Sequence, residues 1–190
     1  KLKAEYDHLK IGKASLLKII DEAEIPESVY NSNAIENSTL TLQETEKILL
    51  EMEVSRNISL REVFEAKNLA RVMEYLQIKE KEELNSEFIL LVHKMLIGNI
   101  NDEFAGRFRK SGEYVRVGTH IAAPPEFVPQ YINDLLVEFK SDQEKYFIDR
   151  VAYFHLQFEN IHPFCDGNGR IGRVILNFQL KQFGFPPLII

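Results

Sequence analysis

A single cysteine in 190 residues excludes an intrachain disulfide framework, and a reducing, cytoplasmic setting is the expectation. Long hydrophobic runs are missing too. None approaches the roughly 20 residues that span a bilayer, and Lys1 to Lys10 lacks the apolar stretch of a signal peptide, so no membrane partner is expected. Positive charge is in deficit: Lys and Arg total 23 against 29 Asp and Glu, a net charge of −6. Nucleic-acid binding by this segment is therefore not expected, because its non-specific part draws on clustered cations. There is no internal repeat, no low-complexity tract, and no Gly-x4-Gly-Lys-[Ser/Thr] phosphate loop.

What is present is an ordinary globular composition, 45% apolar and 27% charged, long enough for a real core. The chain opens on Lys1 and stops on the apolar run Pro186-Pro187-Leu188-Ile189-Ile190, so the natural protein is expected to continue. Hydrophobic periodicity is mostly helical. It predicts a first helix over about 4–24, then a short helix opened by Pro26 and ending at Glu36, with Asn37 as a left-handed cap. Thr41 and Glu44 form a capping-box pattern, residues 60–78 an amphipathic helix, and Ser86 a cap for the next. Residues 106–123 carry Gly106, Gly112, Gly118 and the alternating Tyr114-Val115-Arg116-Val117, which reads as a β-hairpin or flap. Helices resume at about 126–140 and 145–160, and a last one runs from near Gly169 to Gly184. The expected fold class is all-α, predominantly helical, with a small β-hairpin flap. No long linker interrupts it, so one compact helical unit is expected.

The chemistry concentrates in His162-Pro163-Phe164-Cys165-Asp166-Gly167-Asn168-Gly169-Arg170-Ile171-Gly172-Arg173. Pro163 disfavours helical backbone at His162, so the preceding helix ends there. Gly167-Asn168-Gly169 permits unusual φ values, and its N–H groups, with the helix N-terminus that follows, suit an anion. Arg170 and Arg173, three apart, share a helix face and suit a polyphosphate. Asp166 is the lone carboxylate beside the nest, a typical protein contribution to a Mg²⁺ site. His162 is the nearby general base for neutral pH. Together they point to attack by a hydroxyl on a nucleotide phosphate.

This segment resembles the Fic motif, H-P-F-x-[DE]-G-N-G-R-x-x-R, at every specified position. The resemblance extends to Gly106-Arg107-Phe108-Arg109, the flap around Val115–Ile121, Pro124-Pro125, His155, and Gly184-Phe185-Pro186-Pro187. Residues 86–190 look like the Fic catalytic core, and 1–85 like the N-terminal helical region of that family. The resemblance implies adenylylation: transfer of AMP from ATP to a Ser, Thr or Tyr hydroxyl of a target protein. His162 would deprotonate the hydroxyl, and Asp166 would hold Mg²⁺ bridging the α- and β-phosphates. Gly167, Asn168 and Gly169 would cradle phosphates, Arg170 would stabilise the leaving pyrophosphate, and Arg173 would contact the γ-phosphate. Phe164 is the motif's apolar anchor, and Cys165, at a variable position, reads as a bystander thiol. Asn177 extends the arginine face by one turn, either toward the nucleoside or as plain helix polarity.

Ser32-Asn33-Ala34-Ile35-Glu36-Asn37 puts Ser32 and Glu36 four apart on one helix face, which alone reads as a solvated face. It also matches the Fic inhibitory pattern [ST]-x-x-x-E-[GN], within a helix at about 26–37. That likeness implies that Glu36 pairs with Arg173 and excludes or misorients the γ-phosphate, and in some relatives the same Glu supports removal of AMP by water. Val115-Arg116-Val117-Gly118 alternates as an edge strand, able to hold a target segment by strand addition or simply to protect the pocket. His120 reads as structural or solvated and His155 as packed near the loop, while His8 and His93 carry no signal. Zinc is not expected, since His155 and His162 lack metal spacing and a third soft ligand. Relatives imply self-modification, self-association and, in a C-terminal extension, a DNA-binding module. Two other functions compete: transfer of another nucleotide-derived group such as phosphate or phosphocholine, and a nucleotide-sensing binding module with little turnover. The intact Gly167-Asn168-Gly169 favours AMP transfer over phosphorylation, and the complete catalytic set argues against a module without turnover.

Overall fold

Glycine 12 interrupts the first expected helix. In the computed structural model, which describes residues 1–54, 57–141 and 146–190, helix α1 covers Leu2–Leu9 and α2 covers Ala14–Ala23. Gly12 between them adopts φ +73°, a left-handed value that glycine reaches without a Cβ clash. Only Glu24 separates α2 from α3, Ile25–Ile35, whose Pro26 sits in the first turn where an absent N–H costs no helical bond. Helix α3 closes with a Schellman motif: Asn37, at φ +66°, donates its N–H to Ala34 O, and Ser38 donates to Asn33 O, both at 3.0 Å. Ser32 is buried on this helix and Glu36 is its exposed C-cap.

Helix α4, Leu42–Glu46, opens on the expected capping box. It widens into a π turn over Lys47–Glu51 that ends at Met52 in left-handed backbone. Helix α5, Leu60–Ile78, is capped by Ser59, whose hydroxyl accepts the Glu62 N–H at 3.2 Å. Helix α6, Ser86–Ile97, corrects the sequence expectation. Its cap is Asn85, whose extended backbone lets Oδ1 accept the Phe88 N–H at 2.8 Å, while Ser86 is already helical. The flap is a two-stranded antiparallel ribbon, β1 Arg116–Val117 and β2 His120–Ile121, with Arg116 opposite Ile121 and Val117 opposite His120. A short 3-10 turn at Pro125–Phe127 leads into α7, Val128–Ser141. Helix α8 covers Phe147–Ile161 and α9 covers Asn168–Gln182. Residue 145, the expected start of α8, lies outside the described residues.

The chain divides into two compact units in place of the single one expected: residues 1–80 with 177–190, and residues 81–176. The C-terminal segment joins the first unit through its own contacts. Lys181 pairs with Asp21 at 2.9 Å, Lys10 donates to Gly184 O at 3.2 Å, and Lys3 lies 5.0 Å over the Phe185 ring. Within that unit α3 packs on α4 and α5, with Val29, Ile48, Leu69 and Val72 buried. In the other unit α7 packs on α8, and an aromatic file runs from Phe139 through Phe154 and Phe158 to Phe164. The last three are essentially fully buried, each contributing about 1.5–3 kcal/mol by leaving water. Among the described residues, no helix is long and apolar enough to cross a membrane.

Candidate active site

Helix α8 ends where the glycine-rich loop begins. His162 is its C-cap at φ 52°, ψ 63°, its N–H still bonded to Phe158 O at 2.9 Å. A non-glycine residue in left-handed backbone costs roughly 1–2 kcal/mol, and the surroundings hold it there. Arg109, 3% exposed, donates from Nε to His162 O at 2.8 Å and from Nη2 to Ile161 O at 3.2 Å. It also donates to Ala123 O at 2.6 Å and Glu113 O at 2.9 Å, and its main-chain N–H reaches Pro163 O at 3.0 Å. One guanidinium thus ties the end of α8 to both ends of the flap, and its charge complements the helix C-terminus. Glu113 is fixed in turn by a bidentate pair with Arg107, at 2.7 and 2.8 Å, which pulls its carboxyl down to about 2.

Phe164 anchors the loop. It is fully buried, with its ring 3.7 Å from the His93 ring and within 5° of parallel. Asn168 closes the loop: its Oδ1 accepts the Phe164 N–H and its Nδ2 donates to Phe164 O, both at 2.8 Å. Its buried side chain is thereby committed, so any hold of Asn168 on an anion comes from its main chain. Cys165 points to Glu113, 3.5 Å away, and burial followed by that carboxylate pushes its thiol up to about 11. It stays a neutral thiol at physiological pH, as a bystander would.

The Asp166 carboxylate lies 3.1 Å from Arg170 Nη2. Arg170 and Arg173 are both buried, one helical turn apart in α9, whose first-turn N–H groups precede any intrahelical acceptor. Gly167 adopts φ +81°, and a Cβ there would stand 2.9 Å from Ile97 Cδ1 and 3.2 Å from Leu96 Cδ2. The loop is pressed onto α6 at that point. At Gly172 an added Cβ would meet the His155 ring at 3.1 Å and the carboxylate end of Glu159, so α8 and α9 run close together there. Gly167→Ala combines left-handed strain of about 1–2 kcal/mol with overpacking of about 1–3 kcal/mol. Its denaturant midpoint is expected to fall by the equivalent of roughly 2–5 kcal/mol; an unchanged midpoint contradicts this loop geometry.

Among the described residues, no group of three or more His, Cys, Asp or Glu gathers around a metal position. The donor set at the loop is one carboxylate, Asp166, which fits Mg²⁺ taking its other ligands from phosphate and water and does not fit an all-protein zinc or calcium cage.

Other expected residues take different places. Val115, Arg116, Val117 and Gly118 form one side of the flap, with Val117 exposed and the Ala122 N–H returning to Val115 O at 3.1 Å. His120 ties β2 to α8 through Asn160 O at 3.0 Å, a structural tether. Asn177 has its amide engaged on both sides by the main chain of Leu188, at 2.9 and 2.7 Å. In this structure that amide pins the C-terminal segment. Two residues have roles that the sequence reading did not give them. His93, given no role, is fully buried, and desolvation pulls its imidazole down to about 4, so it is neutral. Its signal was there: it is the polar position on the α6 stripe of Ile89, Leu96 and Ile97, and a polar group on a core stripe needs partners. Arg109 stood within the Gly106-Arg107-Phe108-Arg109 resemblance, but its role had no signal, because its acceptors are carbonyls scattered over the chain.

A model described as Fic/DOC family matches residues 83–180. The protein adenylyltransferase fic-1 of Caenorhabditis elegans is 34% identical over 196 residues, covering 100% of this chain and 38% of that protein. The protein adenylyltransferase Fic of Nematostella vectensis is 32% identical over 185 residues, covering 94% and 42%. Among solved structures, Fic-1 from C. elegans superposes with a TM-score of 0.84 at 31% identity, covering 100% of this chain and 56% of that one. A Fic domain containing signaling protein from Bacteroides thetaiotaomicron gives 0.82 at 28%, covering 92% and 68%. The chain spans well under half the length of these curated relatives.

Proposed function

The chain belongs to the Fic/DOC family, and from that premise we propose that it is a protein adenylyltransferase, moving AMP from ATP to a hydroxyl side chain of a protein. One observation carries most of this reading: a histidine clamped in left-handed backbone immediately precedes a glycine-lined loop, and that loop opens a helix with two buried arginines. Two guanidinium groups one helical turn apart, beside a glycine-lined loop, suit the several anionic oxygens of a polyphosphate.

His162 accepts the proton of a Ser, Thr or Tyr hydroxyl as its oxygen attacks the α-phosphorus. A new P–O bond forms to the target, the bond to the β-phosphate oxygen breaks, and pyrophosphate leaves with the electron pair. Arg170 balances charge on the leaving group and Arg173 binds the γ-phosphate, so both act on charge that shifts in the transition state. Gly167, Asn168 and Gly169 present main-chain N–H groups to the phosphates. Asp166 would hold Mg²⁺, which when bound neutralises phosphate charge. The flap strand around Val115–Gly118 takes a target segment by edge pairing, which supplies the proximity the transfer needs.

Glu36 is the regulatory element of the same proposal. Its motif supports a carboxylate that competes with the γ-phosphate for Arg173, with Ser32 and Asn37 shaping the helix end that carries it. Incubation with ATP labelled on the α- or the γ-phosphate, followed by mass spectrometry of modified protein, tests the transferred group. Label from the α position with an added AMP mass is expected. Label from the γ position alone would reassign the chain to phosphorylation.

A further inference from the structure

His93 stands 73 residues before Asp166 and outside the loop motif, yet its ring joins three separate pieces of the chain. The side chain is 0% exposed, and a buried imidazole needs both nitrogens satisfied. The Gly106 N–H lies 3.0 Å from Nδ1, and an amide N–H can only donate, so Nδ1 is the acceptor. The proton therefore sits on Nε2, which donates to the Asp166 carbonyl at 3.0 Å. One ring face stacks on Phe164. The Gly106 turn comes near enough because it is glycine: at φ +74°, a Cβ would stand 2.9 Å from Lys94 Cβ on α6.

The consequence follows from peptide geometry. The Asp166–Gly167 peptide is trans and planar, so its C=O and N–H point in opposite directions. Holding the Asp166 carbonyl against His93 turns the Gly167 N–H the other way. It also fixes the main chain from which the Asp166 carboxylate projects.

We propose that His93 is a positioning residue for the phosphate loop: its Nε2–H anchors the Asp166 carbonyl and so orients the Gly167 amide and the Asp166 carboxylate for nucleotide. The role rests on nucleotide binding at this loop, and the experiment separates the two. A Gln at position 93 carries its amide donor near the place of Nε2, whereas an Asn carries its amide near the place of Nδ1. His93→Gln thus retains a donor for Asp166, and His93→Asn retains only an acceptor for Gly106. Both lose the stacked ring and are expected to melt lower by similar amounts.

In the Glu36→Gly background, calorimetric titration with ATP and Mg²⁺ should show the Asn variant weakened roughly 10- to 100-fold, the range for a lost outer-shell orienting partner. The Gln variant should stay near its parent. If the parent binds and the two variants are weakened alike, the positioning role is overturned while nucleotide binding stands. If the parent itself does not bind, the nucleotide site and the role fall together. A readout on the unsubstituted protein does not depend on either variant folding: long-range ¹⁵N–¹H correlation should show the His93 proton on Nε2. A proton on Nδ1 would overturn the proposal.

Discussion

Replacing His162 with alanine is expected to abolish AMP transfer while ATP still binds. The groups proposed to hold phosphate, Gly167, Gly169, Arg170 and Arg173, lie on the loop and on α9, whereas His162 belongs to the end of α8. Removing the imidazole therefore removes the proposed proton acceptor and leaves the proposed anion site in place. A positioned general base contributes about 10²–10⁴-fold, so labelling from α-labelled ATP should drop by at least about a hundredfold. The backbone complicates the choice of variant. His162 sits at φ 52°, where alanine is strained by roughly 1–2 kcal/mol, so some loss of stability accompanies His162→Ala. His162→Asn is the companion, because Asn tolerates left-handed backbone yet is no base. The Arg109 bonds are to carbonyls, so both variants keep that clamp. Near-parental stability in His162→Asn, together with near-parental ATP affinity and lost labelling in both variants, would establish the role. Labelling that survives in either would reassign the base.

Glu36→Gly is expected to raise self-labelling roughly tenfold or more, the equivalent of at least about 1.4 kcal/mol of relieved competition. The end of α3 is held by main-chain bonds from Asn37 and Ser38. Glycine is well accepted at the close of a helix, so the carboxylate goes while the Schellman turn stays. Glu36→Gln retains the side-chain length without the charge. If the mechanism is electrostatic competition for Arg173, Gln should recover most of the gain seen with Gly. Labelling that is unchanged or lower in Glu36→Gly would remove the inhibitory assignment and leave the catalytic one untouched.

The candidate site was legible in the sequence because its chemistry is local. Twelve consecutive residues, His162 to Arg173, hold the candidate base, the carboxylate, the glycine turn and both arginines, and the chain folds them through one loop and one helix turn. Local rules also announced the capping box at Thr41, the left-handed Asn37 and the flap. Small local choices were misjudged where two adjacent residues competed. Asn85 rather than Ser86 took the cap, because its amide reaches the third N–H of α6. Gly12 broke a helix whose hydrophobic period alone ran on to residue 24.

By itself the sequence determined the helical class, the flap and which groups are candidates for the site, since each depends on residues within a few turns of one another. Only the tertiary structure decided what holds those groups in place. Arg109 satisfies carbonyls from α8 and the flap, and His93 bridges Gly106 and Asp166 across 73 residues of chain. Asn177 turns its amide to Leu188. These are hydrogen bonds to main-chain groups, which every residue carries alike, so no pattern of side chains along the sequence can mark their partners before the backbone has folded.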